Sequence, residues 1–358
     1  MYKKEAVILN DIFFSKKDMH FLSQFGVLEA ADMVEYYKET KKTPFIYDTY
    51  QLSSFLEVKR SQLFHITNNV DDHYCKIEIP KKNGGIRTVY APDDTLKSIQ
   101  NTINKRILSR FEISEYATAY RKKTCIADNA LPHTNKKNIL KLDITDFFGS
   151  ISFPMIYNAV FNTSYYPKQI GTMLTTLCTR NECLTQGAPT SPCISNIIMK
   201  HFDDAMGKWC EKHGISYTRY CDDITFSGNW NLYTVYKKAE CFLNDMGFEL
   251  NERKTHFVSQ RSRQTVTGIV VNEGLSLPRE QRRKLRQKIY YALKFGLEDA
   301  IMHQQLKDFI LHDGKADCER YYLHLLSKGA YALQINPDDK ALANLLTQLK
   351  DKFSEYKS

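Results

Sequence analysis

From Asn138 the chain carries Ile139, Leu140, Leu142 and Ile144 in a run too short for a helix, the pattern of a strand buried on both faces, and Asp143 stands inside it. A carboxylate in that position needs a physical reason. Farther on, the β-prone runs Thr218-Arg219-Tyr220 and Ile224-Thr225-Phe226 are joined by Cys221-Asp222-Asp223, so a second crowding of acids falls in a turn between strands. Earlier, Cys75, Ile77 and Ile79 alternate with polar residues. Lys81-Lys82-Asn83-Gly84-Gly85 then supplies a turn and Ile86 resumes the extended pattern to Tyr90, which predicts a hairpin with a basic tip.

Helical periodicity fills the spaces between. Residues 18–37 carry Phe21, Leu22, Val27, Leu28 and Val34, and a second segment from about Ser53 carries Phe55, Leu56, Leu63 and Phe64, predicting a helical N-terminal extension. Pro92-Asp93-Asp94-Thr95 can cap a helix whose Leu96, Ile99, Ile103 and Ile107 recur at spacings of three and four. After Gly268 comes a basic helical stretch, in which Arg279, Arg282, Arg283, Lys284, Arg286 and Lys288 surround an apolar line of Leu285, Ile289 and Leu293. There is no internal repeat and no low-complexity segment.

Composition narrows the classes. With 358 residues, 42% apolar and 25% charged, the chain can bury two or three packed units, and disorder is excluded as its general state. A formal charge of +9 and 12% aromatics fit a surface that binds a polyanion, with nucleic acid foremost. Nine cysteines, an odd number with no Cys-x-x-Cys pair, argue against a zinc ribbon or a disulfide framework. The apolar run within 1–14 is broken by Asn10 and Asp11, and no stretch approaches a membrane span. The expectation is a cytoplasmic protein with no membrane partner.

Carboxylates packed together repel, and withdrawing them from water costs several kcal/mol each unless a cation compensates. Hard oxygen donors without a Cys or His cluster favour Mg2+ over Zn2+, and a strand aspartate with an Asp-Asp turn can hold two such ions for phosphoryl transfer. An isolated Asp-Asp pair is ordinarily a solvated turn, so the company it keeps decides. Asp93 and Asp94 are read as a helix cap, Asp203 and Asp204 as a solvated helix face, and the aromatics of 157–166 as packing. Asp146 stays open.

A series of motifs in one order supplies that company. Tyr220-Cys221-Asp222-Asp223 resembles the Tyr-x-Asp-Asp turn of reverse transcriptases. Lys141-Leu142-Asp143-Ile144-Thr145-Asp146-Phe147-Phe148 resembles their first palm motif, and Gln186-Gly187-Ala188-Pro189-Thr190-Ser191-Pro192 their Gln-Gly-x-Pro-x-Ser-Pro loop. Residues 79–87 with Pro92, Leu96, Lys97, Ile99 and Gln100 resemble the fingers signature. Asn129-Ala130-Leu131-Pro132-His133 and Val266-Thr267-Gly268 are similar to elements of the retron branch.

The resemblance implies an α+β right-hand polymerase fold with fingers, an antiparallel-sheet palm and a helical thumb. Its implied divisions are a helical N-terminal extension (1–70), fingers with a retron-like insertion (71–137), palm with fingers elements (138–268), and helical thumb with a C-terminal RNA-binding region (269–358). Asp143, Asp222 and Asp223 would be catalytic and hold two Mg2+ ions, with the Ile144 carbonyl as a further ligand. Lys254 would be the lysine sometimes proposed to protonate pyrophosphate. Lys81, Arg87 and Gln186 would contact the nucleotide, and the ring of Phe148 would exclude a 2′-hydroxyl, making deoxynucleotides the substrates.

RNA contacts are expected from Asn129, His133, Val266, Thr267, Gly268, Arg279, Arg282, Arg283 and Arg286. The family's activity is to copy its own structured noncoding RNA into branched single-stranded DNA, starting from an RNA 2′-hydroxyl, in anti-phage defence. A separately encoded effector would be a partner. The short stretch after Gly268 suits a thumb without RNase H, so template removal would fall to a host RNase H in a bacterial cytoplasm. The alternatives are a defence-associated relative with untemplated synthesis and a protein acting mainly as an RNA-binding scaffold.

Overall fold

The computed structural model describes residues 43–80 and 84–356. The helix expected over 18–37 and the nucleotide contact expected of Lys81 lie outside these residues. The chain divides into two compact units, each drawn from separate stretches of sequence. One comprises the described residues up to Tyr120 with 144–206 and 240–251, and the other 121–143, 207–239 and 252 onward.

In the first unit, the single helix expected from about Ser53 is two, α1 (Thr49–Phe55) and α2 (Arg60–Asn68). The break has a local cause. Val58 N–H donates to the Ser53 carbonyl and Glu57 N–H to that of Ser54, closing α1 with Glu57 at φ 59°, a conformation from which a helix cannot continue. Strands β1 (Tyr74–Pro80) and β2 (Ile86–Pro92) form the expected hairpin. Asp93 then caps α3 (Asp94–Arg106), its carboxylate accepting from Leu96 N–H at 2.8 Å, while Leu96, Ile99 and Ile103 are buried.

Gln100, also buried on α3, fixes the hairpin root by donating to the Tyr74 hydroxyl at 2.7 Å and to the Leu177 carbonyl at 2.8 Å. It thereby ties β1 to the end of a helix farther along the chain.

The second unit opens with α4 (Ile126–Ala130) and β3 (Asn138–Asp143). In the first unit, α5 (Phe153–Ile156) and α6 (Lys168–Leu177) follow, and Phe161 and Tyr166 between them are fully buried, as expected of packing aromatics. Helix α7 (Ser191–Lys212) corrects one expectation. Asp203 is wholly buried rather than solvated, because it falls on the same stripe as Met199 and Met206, at spacings of four and three; Asp204, half-buried, pairs with Lys200.

Gly214, at φ 66°, ends α7, and the chain returns as β4 (Ser216–Tyr220) and β5 (Asp223–Gly228). Helix α8 (Leu232–Asp245) and β6 (His256–Ser259) follow. The sheet of the second unit is antiparallel with order β4-β5-β3-β6, so β3 is central and β6 is an edge among the described strands. The hairpin of β7 (Thr265–Val266) and β8 (Ile269–Val270) leads to the C-terminal helices.

These helices are α9 (Arg279–Phe295), α10 (Leu297–His303), α11 (Cys318–Ile335) and α12 (Lys340–Lys352). Their buried faces join Ile139, Val266 and Ile269 in one core through Ile289, Ala292, Leu325 and Leu346. The β-period sheet and the helical tail of this unit therefore fold as one body. None of the described helices is long and apolar enough to cross a membrane.

Candidate active site

Register places the acids. In the β3–β5 ladder Asp143 lies directly opposite Asp223, and residues so paired send their side chains to the same face about 5 Å apart. Tyr220 pairs with Asp223 across a two-residue turn, so Asp222 projects from the tip of the same hairpin. Cys221 occupies the first turn position at φ 61°, which costs a non-glycine residue about 1–2 kcal/mol. A buried guanidinium offsets it: Arg219 Nη1 donates to the Cys221 carbonyl at 2.9 Å, and Arg219 has no exposed surface.

Like charges opposite one another destabilise a ladder. The physical effect is visible in Asp223, whose carboxyl is pushed up to about 6 by partial desolvation beside the sheet, then by Asp222 and Asp143, against the pull of Lys141 and Lys254. Two ammonium groups moderate the repulsion. Lys254, on the single turn Glu252–Lys254 before β6, reaches both oxygens of the buried Asp143 carboxylate at 2.8 and 2.9 Å. Lys141, two residues before Asp143 and so on the same face of β3, is held below the usual lysine range by burial, with Asp223 opposing the shift.

Among the described residues no three His, Cys, Asp or Glu side chains are gathered around one point that could hold a metal ion. The donor set nevertheless fits divalent ions, being all hard carboxylate oxygen, and the Lys254 ammonium on Asp143 is a stand-in cation at one of those carboxylates. Lys141 and Arg219 are absent from the residues that the sequence motifs single out. Lys141 opens the first palm motif and Arg219 immediately precedes the Asp-Asp turn motif, and the period of two already puts Lys141 beside the acids.

The other nucleotide-site expectations fall in the first unit. Arg87 is exposed on β2, opposite Ile79. Three residues on, Tyr90 N–H donates to the Gln186 carbonyl at 2.9 Å, which joins the hairpin to the Gln-Gly loop. Gly187 permits this approach: at φ 116° a Cβ there would stand 2.6 Å from the Tyr90 carbonyl oxygen. Phe148 is half-buried with its ring 5.4 Å from that of Phe147, which in turn packs on Phe248. Asp146 is a turn residue at φ 41°, folded back so that a Cβ on Gly149 would meet its carboxylate at 2.2 Å. Ile144, which bridges to Leu250, is buried.

The two segments expected to contact RNA meet each other inside the second unit. Asn129 Nδ2 donates to Thr267 Oγ1 at 3.3 Å, and the Asn129 carbonyl accepts from Thr218 Oγ1 at 3.4 Å. His133 is bound between Thr218 Oγ1 at 2.9 Å and Ser227 Oγ at 2.7 Å, with both ring nitrogens engaged. Asn129, His133 and Val266 are buried. Their side chains therefore clamp the helix α4 region to the sheet and to the β7–β8 turn in place of the RNA contacts expected of them. Thr267 and Gly268, at φ 46° and 85°, form that turn, and of the five RNA contacts expected from the two retron-like elements these two alone keep surface.

Burial holds His133 neutral, pushing its pKa down to about 3, with Lys136 adding to the effect. The unfolded chain, at about 6.5, takes up the proton first, so stability is full above about pH 6.5 and falls as pH drops toward 3. This group alone contributes a slope of about 1.4 kcal/mol per pH unit in that window. Urea midpoints measured from pH 7.5 to 5 should fall for the parent and fall less for His133→Gln; equal slopes would contradict the clamp.

On α9, Arg279 and Arg283 are exposed, and Lys284 pairs with Glu280. Arg286 is engaged within the protein: one guanidinium nitrogen holds both oxygens of Asp339 at 2.7 and 2.8 Å, and Asp339 also caps α12 through Leu342 N–H. A guanidinium already committed to a nearly buried carboxylate is a structural tie between α9 and α12.

The family described as reverse transcriptase (RNA-dependent DNA polymerase) matches residues 79–271. The retron Mx65 reverse transcriptase of Myxococcus xanthus is 31% identical over 287 residues, spanning 74% of this chain and 62% of that one. The retron Ec86 reverse transcriptase of Escherichia coli is 30% identical over 255 residues, spanning 69% of this chain and 79% of the relative. Among solved structures, the telomerase of Candida albicans, in complex with a fragment of telomeric RNA, aligns with a TM-score of 0.43 at 13% identity, covering 96% of this chain and 76% of that one.

Proposed function

The chain belongs to the reverse transcriptase family and, within it, to the retron reverse transcriptases, and on that footing we propose that it copies RNA into DNA at the acidic end of its four-stranded sheet. The observation that carries this reading is the register of Asp143 against Asp223, with Asp222 in the adjoining turn and the Lys254 ammonium resting on Asp143. The family is generally dependent on divalent metal. Asp143, Asp222 and Asp223 would hold two Mg2+ ions, with the Ile144 carbonyl assigned to the same task by its place in the motif. When bound, such ions lower the pKa of an attacking hydroxyl and neutralise the leaving pyrophosphate.

The chain's own groups do the rest. Arg219 and the Cys221 carbonyl fix the turn that presents Asp222, and the Lys254 ammonium balances charge at Asp143. Its place in the motif would also let Lys254 meet the pyrophosphate. Arg87, Gln186 and Phe148 are assigned nucleotide contacts from their motifs, Phe148 as the barrier to a 2′-hydroxyl. Retron membership supports the finer reading: a cognate structured RNA as partner, synthesis begun from an RNA 2′-hydroxyl, a branched RNA–DNA product, a separately encoded effector and a role in anti-phage defence. Removal of the copied template is assigned to a host RNase H, and the location to the cytoplasm.

Primer extension on an RNA template with dNTPs and titrated Mg2+ tests the polymerase. Metal-dependent synthesis is expected, and its absence would defeat the reading. Phosphate contacts by α9 make a second expectation. Arg279→Gln with Arg283→Gln should weaken RNA binding and lower the slope of log affinity against log salt by roughly 1–2, since each lost phosphate contact releases one fewer counterion. An unchanged slope would return α9 to a merely solvated helix face.

A further inference from the structure

At the end of β3 remote from Asp143, the edge strand β6 and the start of α8 enclose a hollow of about 470 Å3, lined by Asn138, Trp230, Asn231, Tyr233, Phe257 and Ser259 among others. Asn138 and Asp143 bound the six residues of β3, a separation of roughly 17 Å along an extended chain. The hollow is therefore separate from the acidic site.

Its aromatic residues are open to solvent: Trp230 is 40%, Tyr233 58% and Phe257 52% exposed. They are nonetheless held in place. Tyr236 stacks on Tyr233 at 6.1 Å and meets Phe257 edge-on at 6.2 Å, while Trp209 meets Trp230 edge-on at 5.8 Å. Lys237 Nζ lies 5.9 Å over Tyr233 and 5.3 Å over Tyr236, and Lys238 Nζ 5.3 Å over Trp209. Exposed Lys137 adjoins Asn138, its carbonyl accepting from Gln260 N–H at 2.8 Å.

No lining residue is acidic. Propped, solvent-facing rings with the Lys237 ammonium over one of them suit a polyanion with flat faces, and the Asn and Ser side chains suit base and sugar edges. A base-paired duplex buries those faces in its own stack. We propose that this hollow is a stacking site for unpaired nucleotides of the RNA that the chain copies, an inference that rests on the polymerase reading above for the identity of the strand.

The chain's two tryptophans, Trp209 and Trp230, both stand here, so intrinsic fluorescence reports on the hollow directly. In a Trp209→Phe background, a single-stranded oligoadenylate of about ten nucleotides should quench Trp230 saturably. The same strand paired with oligouridylate should not, and oligodeoxyadenylate should bind more weakly. Tyr233→Leu, which keeps apolar area and loses the aromatic face, should lower the affinity roughly 5- to 150-fold while primer extension on an unrelated template is unchanged.

Absence of saturable quenching, equal quenching by the duplex, or indifference to Tyr233→Leu would overturn the site; a surface for a protein partner would behave in these ways. Equal or tighter binding of the deoxy strand would overturn its assignment to RNA. Failure of the parent chain to extend any primer would instead defeat the polymerase reading, which the fluorescence does not measure.

Discussion

Replacing Asp222 or Asp223 by Asn is expected to lower DNA synthesis by on the order of a thousandfold or more, while folding and RNA binding persist. The amide keeps the shape of the side chain and removes the charge that would hold a divalent ion. For Asp223 the substitution also relieves the repulsion from Asp143, directly opposite in the ladder, and from neighbouring Asp222. Asp223→Asn should therefore match or exceed the parent in thermal stability in metal-free buffer, gaining up to about 1 kcal/mol. That pairing of a dead enzyme with an undamaged fold separates a metal ligand from a structural acid. Residual synthesis within tenfold of the parent would remove these carboxylates from the site.

Phe148→Ala is expected to admit ribonucleotides. Phe147, buried against Phe248, holds the Phe148 ring in place, and Phe148 itself is only half-buried, so truncation should open space without unfolding the unit. A ring that discriminates by collision with one hydroxyl is worth at least about tenfold in relative incorporation. Single-nucleotide incorporation of rNTP against dNTP measures it, and an unchanged ratio would place the barrier elsewhere.

Much of the acidic site is legible in the sequence because the acids break local rules. Asp143 interrupts a buried strand and Asp222-Asp223 a β-turn, and the ladder explains both by setting Asp143 against Asp223. The hairpin of β1 and β2 and the cap at Asp93 are equally legible, since turn and cap signals act over a few residues. What escapes depends on distant partners. Asp203 carries the same charge as any solvated aspartate, and only its stripe on α7 buries it.

Asn129 and His133 offer donors and acceptors fit for RNA. Their actual partners, Thr267, Thr218 and Ser227, lie 85 to 138 residues away in sequence. Arg286 likewise resembles one more cation on a basic helix until Asp339 is placed opposite it. In each case the chemistry of the side chain is legible and its direction is not, because direction is a property of the packed chain.

The most direct measurement is to isolate the nucleic acid that copurifies with the protein, sequence it, and digest it with RNase and with DNase. A single-stranded DNA joined covalently to an RNA at a guanosine 2′-hydroxyl, present with the parent chain and missing with Asp222→Asn, is the expected result. RNA alone with the parent chain, or an identical DNA-containing species with both proteins, would contradict the assignment of this acidic strand end as the centre that makes the DNA.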